Sequence, residues 1–212
     1  MAKKDHNYYL QQLGVDIWIP RQANLCTKEK LAELANVVAT CTKCPLAQSR
    51  THTVFARGNP LAKLMILGEA PGFNEDKQGL PFVGRAGVLL NQMLNTIGLT
   101  EEDVYIANVL KCRPPDNRDP RPEEINQCSA YLAQQIELVT PKLLLALGRF
   151  AGQYLLKEAQ PLNRMRGQLH HYREVPFIVS YHPAYLLRKP SDKKKAYQDL
   201  LYLQALLTKD DI

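Results

Sequence analysis

Four short runs of β-forming residues, at 63–67, 104–107, 143–147 and 177–180, are each separated from the next by a helix-length stretch. The intervening segments carry apolar residues at helical spacing. Ala86, Leu89, Leu90, Met93, Leu94 and Ile97 make an i, i+3, i+4 stripe closed by Gly98. Pro122-Glu123-Glu124 reads as a first helical turn, because proline's φ is already helical and carboxylates suit the positive end of the helix dipole. Ile125, Leu132 and Ile136 follow on one face. A last helix is expected from about Asp192, with Tyr197, Leu200, Leu201 and Leu207 inward. Strands alternating with helices are joined by crossovers, so the pattern predicts an α/β fold: three layers, α/β/α, around a central four-stranded parallel sheet.

In such sheets ligands bind beyond the carboxyl ends of the strands. Unusual chemistry should therefore follow each strand, and it does. Gly68-Glu69-Ala70-Pro71-Gly72 comes after the first run and Asn108 after the second. Gly148-Arg149 follows the third and Tyr181-His182-Pro183 the fourth. The glycine- and proline-rich loop lacks the Gly-Lys-Ser/Thr ending of a phosphate-cradling loop. It suits close backbone approach to some other ligand.

At 212 residues one domain with its own core is expected, and the longest clean apolar run near a strand signal, Leu143–Leu147, is far short of a membrane span. No apolar segment follows Met1-Ala2-Lys3-Lys4, so a soluble, cytoplasmic protein is expected. The net charge of +6 tilts weakly toward an anionic partner. Five cysteines are too sparse for a disulfide scaffold. Cys41-Thr42-Lys43-Cys44 with Cys112 and Cys128 suggests metal ligation instead, and four thiolates suit either zinc or an iron–sulfur cluster. Cys26 stands outside this pattern.

Gly68-Glu69-Ala70-Pro71-Gly72-Phe73-Asn74-Glu75-Asp76, then His182-Pro183-Ala184-Tyr185-Leu186-Leu187, with the four cysteines, resemble the family 4 (iron–sulfur) uracil-DNA glycosylases over roughly residues 27–207. The resemblance implies a hydrolase of N-glycosyl bonds that flips uracil out of single- or double-stranded DNA. Hydrolysis leaves an abasic site for base excision repair. The cofactor it implies is a [4Fe–4S] cluster on Cys41, Cys44, Cys112 and Cys128, in a structural role.

The same resemblance puts Phe82 under the uracil ring, as a planar partner suited to stacking. Asn108 is implied to read the base edge, accepting from N3–H while donating to O4, a pattern opposite to that of cytosine. His182 is implied to donate toward uracil O2 as charge develops there. Leu186 takes the place of an apolar wedge, with Leu187 as the alternative, and Arg188 leads Lys189, Lys193, Lys194 and Lys195 toward phosphates. Lys111, Arg113, Arg118 and Arg121 are expected on a further DNA-contacting loop. Ala70 stands where better-known branches carry a water-activating Asp. Glu69 and Glu75 remain: Glu69 to orient water or offset positive charge on the sugar, Glu75 to shape the pocket near uracil C5, where Gly72 offers no side chain. Neither is assigned as the base.

Residues 1–25 are expected to form an N-terminal extension to a glycosylase domain spanning 26–212. The segment Tyr9-Leu10-Gln11-Gln12-Leu13-Gly14-Val15-Asp16-Ile17-Trp18-Ile19-Pro20-Arg21 resembles the N-terminus of the psi subunit of the bacterial DNA polymerase III clamp loader. It implies docking on that assembly, against the plainer reading that the segment packs on its own domain. A monomer is expected. The alternative function is a weakly active or inactive DNA-binding, replisome-associated protein of the same fold.

Overall fold

The computed structural model describes residues 22–208. Four strands are parallel and adjacent in the order β3-β2-β4-β6: β2 (Leu64–Gly68), β3 (Val104–Asn108), β4 (Leu143–Leu147) and β6 (Val175–Ser180). The expected four-stranded sheet is extended by two short antiparallel strands. β1 (Arg57–Gly58) pairs with β3, and β5 (His170–Tyr172) pairs with β6 through a hairpin. Two- and three-residue strands carry too little alternation to register as strands in sequence.

Every residue of β2, β3 and β4 is buried, which is why they read as continuous apolar runs. Alternate residues serve two cores. Leu64, Ile66, Ile106, Leu145 and Ile178 face α4 (Arg85–Asn95) and α9 (Lys193–Leu207). Met65, Leu67, Ala107, Leu144 and Val179 face α5 (Pro122–Val139) and α6 (Arg149–Leu156). On that second side α1 (Gln22–Ala39) packs along α5 and reaches a third, smaller cluster around the cysteines. The short helices α2 (Leu46–Ser49), α3 (Phe73–Gln78), α7 (Leu162–Met165) and α8 (Pro183–Arg188) lie in the connections.

In α9 the buried stripe is Ala196, Asp199, Leu200, Leu203 and Leu206. Tyr197 and Leu201, expected inward, are exposed, because Asp199 enters the core and rotates the face that must be covered. Its carboxylate accepts from Arg166 through both oxygens at 2.8 Å and from the Ser180 hydroxyl at 2.6 Å, so the buried charge is paired. The expected N-terminal extension lies outside the described residues except for its last four, where α1 begins. The docking segment 9–21 lies wholly outside them.

The chain leaves β2 toward β3 on one side, then returns to β4 on the other side of β2. This reversal opens the crevice of an open α/β sheet between the carboxyl ends of β2 and β4. Gly68-Glu69 and Gly148-Arg149 stand at its two lips.

Candidate active site

Gly68 shows how tightly the loops converge. A methyl group there would sit 2.2 Å from Asn108 Oδ1 and 2.7 Å from Phe82 Cζ, so only a bare backbone admits both side chains. Asn108 is aligned with Gly68 across the β2–β3 ladder and is 2% exposed. Its Oδ1 has no hydrogen-bond partner. A buried orphan acceptor is costly, and a ligand N–H is a physical reason to keep it. Phe82 is buried with φ +55°, and the Gly87 Cα lies so close to the Phe82 carbonyl that no side chain fits between α4 and this loop. The unfavourable backbone turn aims the ring inward, where its centroid lies 5.5 Å from that of His182 at 27°.

His182 caps α8: its Nδ1 accepts from the Ala184 N–H at 3.1 Å. That bond fixes Nδ1 as the bare nitrogen and leaves Nε2 to carry the proton. Burial, with Arg188 nearby, pushes the imidazole down to about 4, so at neutral pH the ring is an uncharged donor. Gly148, at φ +91°, lets β4's exit loop pass beneath it, since a methyl there would lie 3.1 Å from the His182 Cβ.

Glu69 is pushed up to about 7, first by burial and then by Asp119, with Arg149 opposing. Arg149 pairs with Asp119 at 3.3 Å, so three charged groups from three loops meet beside the crevice. Asp119 was not foreseen, because nothing in residues 111–121 marks it apart from its neighbours. Glu75 does not stand free. Its Oε1 accepts from the Val83 and Gly84 N–H groups at 3.0 and 2.9 Å, fixing the turn that carries Phe82, while Oε2 occupies the space beside Gly72. Ala70 packs against the cysteine cluster rather than presenting a polar group. Asp76, also unforeseen, is buried and accepts from Thr51 N–H at 2.9 Å, tying α3 to the cysteine-bearing segment.

The structure places two of the groups expected to contact DNA away from the surface. Leu186 is 1% exposed and packed in the core with α4 and α9; Leu187 beside it is 37% exposed. Pro183 starts α8 so that the next turn points Leu186 down and Leu187 outward. Lys111 is 1% exposed and cannot meet phosphate from a surface; Arg118 is engaged by Glu124 through both oxygens. Arg113, Arg121 and Arg188 are at or near the surface, whereas Lys189 and Lys195 flank Asp192 at 3.5 and 2.9 Å.

Cys41, Cys44, Cys112 and Cys128 line one cavity with Arg50, Lys111 and Tyr131. Arg50 Nη1 donates to Cys112 Sγ at 3.2 Å and the Lys111 N–H to Cys128 Sγ at 3.3 Å. Burial pushes the Cys128 thiol up to about 11 and raises Cys112 as well. Among the described residues no three His, Cys, Asp or Glu side chains are drawn together to hold a single metal ion. Four thiols line one space, with N–H donors aimed at two of them, and thiolates are the ligand type that zinc and iron–sulfur groups take. Cys26 is not among them.

Among the described residues no helix is long and apolar enough to cross a membrane. A family model described as the uracil DNA glycosylase superfamily matches residues 55–204. The chain is 42% identical to a type-4 uracil-DNA glycosylase of Archaeoglobus fulgidus over 179 residues, 81% of this chain and 90% of the relative. It is 42% identical to that of Sulfurisphaera tokodaii, covering 84% of this chain and 85% of the relative. The type-4 uracil-DNA glycosylase of Thermotoga maritima is also 42% identical, over 79% of this chain and 88% of its own length. With Asn108 and Phe82 converging over Gly68, His182 stacked on Phe82 and four thiols lining one cavity, the chain belongs to the uracil-DNA glycosylase superfamily, in its type-4 branch.

Proposed function

We propose that this chain excises uracil from DNA by seating the flipped base between Phe82, Asn108 and His182. The observation that carries the assignment of Asn108 is its buried, unpartnered Oδ1 over Gly68. Uracil N3–H satisfies that oxygen and O4 takes the amide donor; cytosine presents an acceptor where uracil presents N3–H, leaving two lone pairs opposed. Phe82 supplies the π-face, worth about 1–3 kcal/mol in base stacking. The glycosidic bond breaks with its electron pair leaving on uracil, and the neutral Nε2–H of His182 donates to O2 as that charge grows. Water adds to the anomeric carbon and loses a proton, giving the abasic sugar. Glu69, as a carboxylate, offsets the positive charge on the sugar or orients that water. Ala70 leaves the position before Pro71 without a base, which a reaction driven by leaving-group stabilisation tolerates.

Cys41, Cys44, Cys112 and Cys128 would hold a [4Fe–4S] cluster, which supplies a cross-link between the segment after α1 and the loop after β3 and takes no part in bond cleavage. Leu187, rather than Leu186, is assigned the gap left by the flipped base, with Arg113, Arg121 and Arg188 toward phosphates. Glu75 fills the wall beside Gly72, excluding a 5-methyl group. The N-terminal extension, residues 1–25, is assigned to docking on the DNA polymerase III clamp loader, and five cysteines too sparse for a disulfide scaffold favour a cytoplasmic setting.

Single-turnover release of uracil from an oligonucleotide tests the pocket. His182→Ala is expected to slow it roughly 100-fold, the loss typical of one donor to a developing anion. Asn108→Asp is expected to relax rejection of cytosine. Full excision by both variants, with cytosine still refused, overturns the assignments. DNA binding without release of uracil by the unaltered chain favours the inactive-binder alternative.

A further inference from the structure

Lys111 is 1% exposed, the one lysine buried among the described residues, and its surroundings are specific. Its Nζ donates to the Asn108 backbone carbonyl at 2.7 Å and to Gln135 Oε1. Gln135 is itself wholly buried, and its amide nitrogen faces the Phe55 carbonyl and the Tyr105 hydroxyl, each at 3.2 Å. The acceptors on that side fix the orientation of the amide, so the oxygen must point at Lys111. The rest of Lys111 is held as well. Its backbone N–H is on Cys128 Sγ and its carbonyl accepts from Val54 N–H at 2.8 Å. Between the two residues, Val109 and Leu110 N–H groups bond the Gly68 and Glu69 carbonyls, each at 3.0 Å. The backbone leaving Asn108 is thus zipped to the loop after β2 on one side and pinned to the thiol cavity on the other.

A lysine ammonium buried this deeply is costly unless it is paired. Neutral carbonyls satisfy its N–H donors but not its charge. Among the described residues no carboxylate is bonded to Lys111, which lines the same cavity as Cys41, Cys44, Cys112 and Cys128. We propose that Lys111 is a positioning residue for base recognition: it stands beside the cysteine cavity with its backbone N–H on Cys128 Sγ, while its two side-chain bonds hold the Asn108 peptide in the register that places the side-chain amide over Gly68. The inference rests on the reading of Asn108 as the base-reading residue and of the four cysteines as ligands. It makes occupancy of the cavity and geometry of the pocket one mechanical unit, through a residue that touches no substrate.

Lys111→Met keeps length and apolar bulk while deleting charge and donors. Full-length protein, purified anaerobically, is compared with the variant for iron per chain, thermal unfolding, and single-turnover excision across DNA concentration. The variant is expected to stay folded and to bind DNA normally, but to excise uracil about tenfold more slowly or worse at saturating DNA, as displacement of a reacting group does. Removing a neighbouring positive charge is also expected to make the cluster harder to reduce, read by a redox titration of its visible absorption. The decisive step is the double-mutant cycle: in an Asn108→Ala background Lys111→Met is expected to cost less than twofold, because its effect runs through Asn108. Unchanged excision by Lys111→Met, or an undiminished loss in the Asn108→Ala background, overturns the proposal. Should Lys111→Met fail to fold, Gln135→Met, which removes the other anchor of the same ammonium, is read in the same way. Asn108→Ala alone checks the underlying reading: if it excises uracil at full rate, the role of Asn108 falls first, whatever Lys111 does.

Discussion

Glu69 sits at the lip of the crevice with its proton held until about pH 7, because burial and Asp119 oppose the charge more than Arg149 favours it. A group that works as an anion contributes only above that value. The single-turnover rate is therefore expected to rise through about pH 7 and level off, and Glu69→Gln to remove that step. A Glu69→Gln profile that still rises through the same range excludes Glu69 as its origin. His182 is not a competing source: with its pKa near 4 the imidazole is already neutral below the assay range. The linkage signs differ for the two. The folded chain holds the Glu69 proton more tightly than the unfolded chain between 4.5 and about 7, so that carboxyl makes stability fall as pH rises across the window. His182 does the opposite, losing stability as pH drops from 6.5 toward about 4, where only the unfolded imidazole is charged.

Helix α8 divides two adjacent leucines between different tasks. Its first turn is set by Pro183 and by the His182 cap, and that phase buries Leu186 against α4 and α9 while leaving Leu187 outside. Leu186→Ala should therefore lower stability by about 2–5 kcal/mol, as truncation in a packed core does, measured by denaturant unfolding. Leu187→Ala should leave stability nearly unchanged and slow excision from duplex more than from single-stranded substrate, since only the duplex needs its gap filled. Equal loss on both substrates argues that Leu187 contacts the strand without acting as a wedge. The turn between α3 and α4 shows the same division of labour, with the Glu75 carboxylate spent on holding Val83 and Gly84 in place so that Phe82 keeps its left-handed backbone.

Across the whole molecule, the cysteine cavity joins parts of the chain that the sheet does not. Cys41 and Cys44 follow α1, Cys112 follows β3 and Cys128 lies in α5, with Leu34, Val38, Leu46 and Tyr131 packed around them. Without a ligated group, buried thiols are left as poor hydrogen-bonding partners for Arg50 and Lys111. Chelation of the proposed cluster is expected to lower the melting temperature and to expose residues 40–50 to protease before the sheet is cut. A colourless, iron-free preparation with an unchanged melting curve and cleavage pattern argues against ligation as part of the fold.

Local chemistry was legible because its signals are local. Apolar runs buried on both faces, a stripe at helical spacing, and glycine, proline and asparagine just past strand ends determined the α/β class and the loops that bear the site. The cysteine spacing and loop motifs also carried the family resemblance. Only tertiary structure could decide which way a side chain faces when its neighbours are chemically alike: Leu186 inward and Leu187 outward, Tyr197 and Leu201 outward once Asp199 is paired inside. Nor does sequence distance hint that Lys111 reaches across to Gln135, or that Asp119 raises Glu69. These are contacts between segments brought together by the crossovers of the sheet. Their energies depend on burial and on partners from distant parts of the chain, which a linear pattern of residue types does not encode.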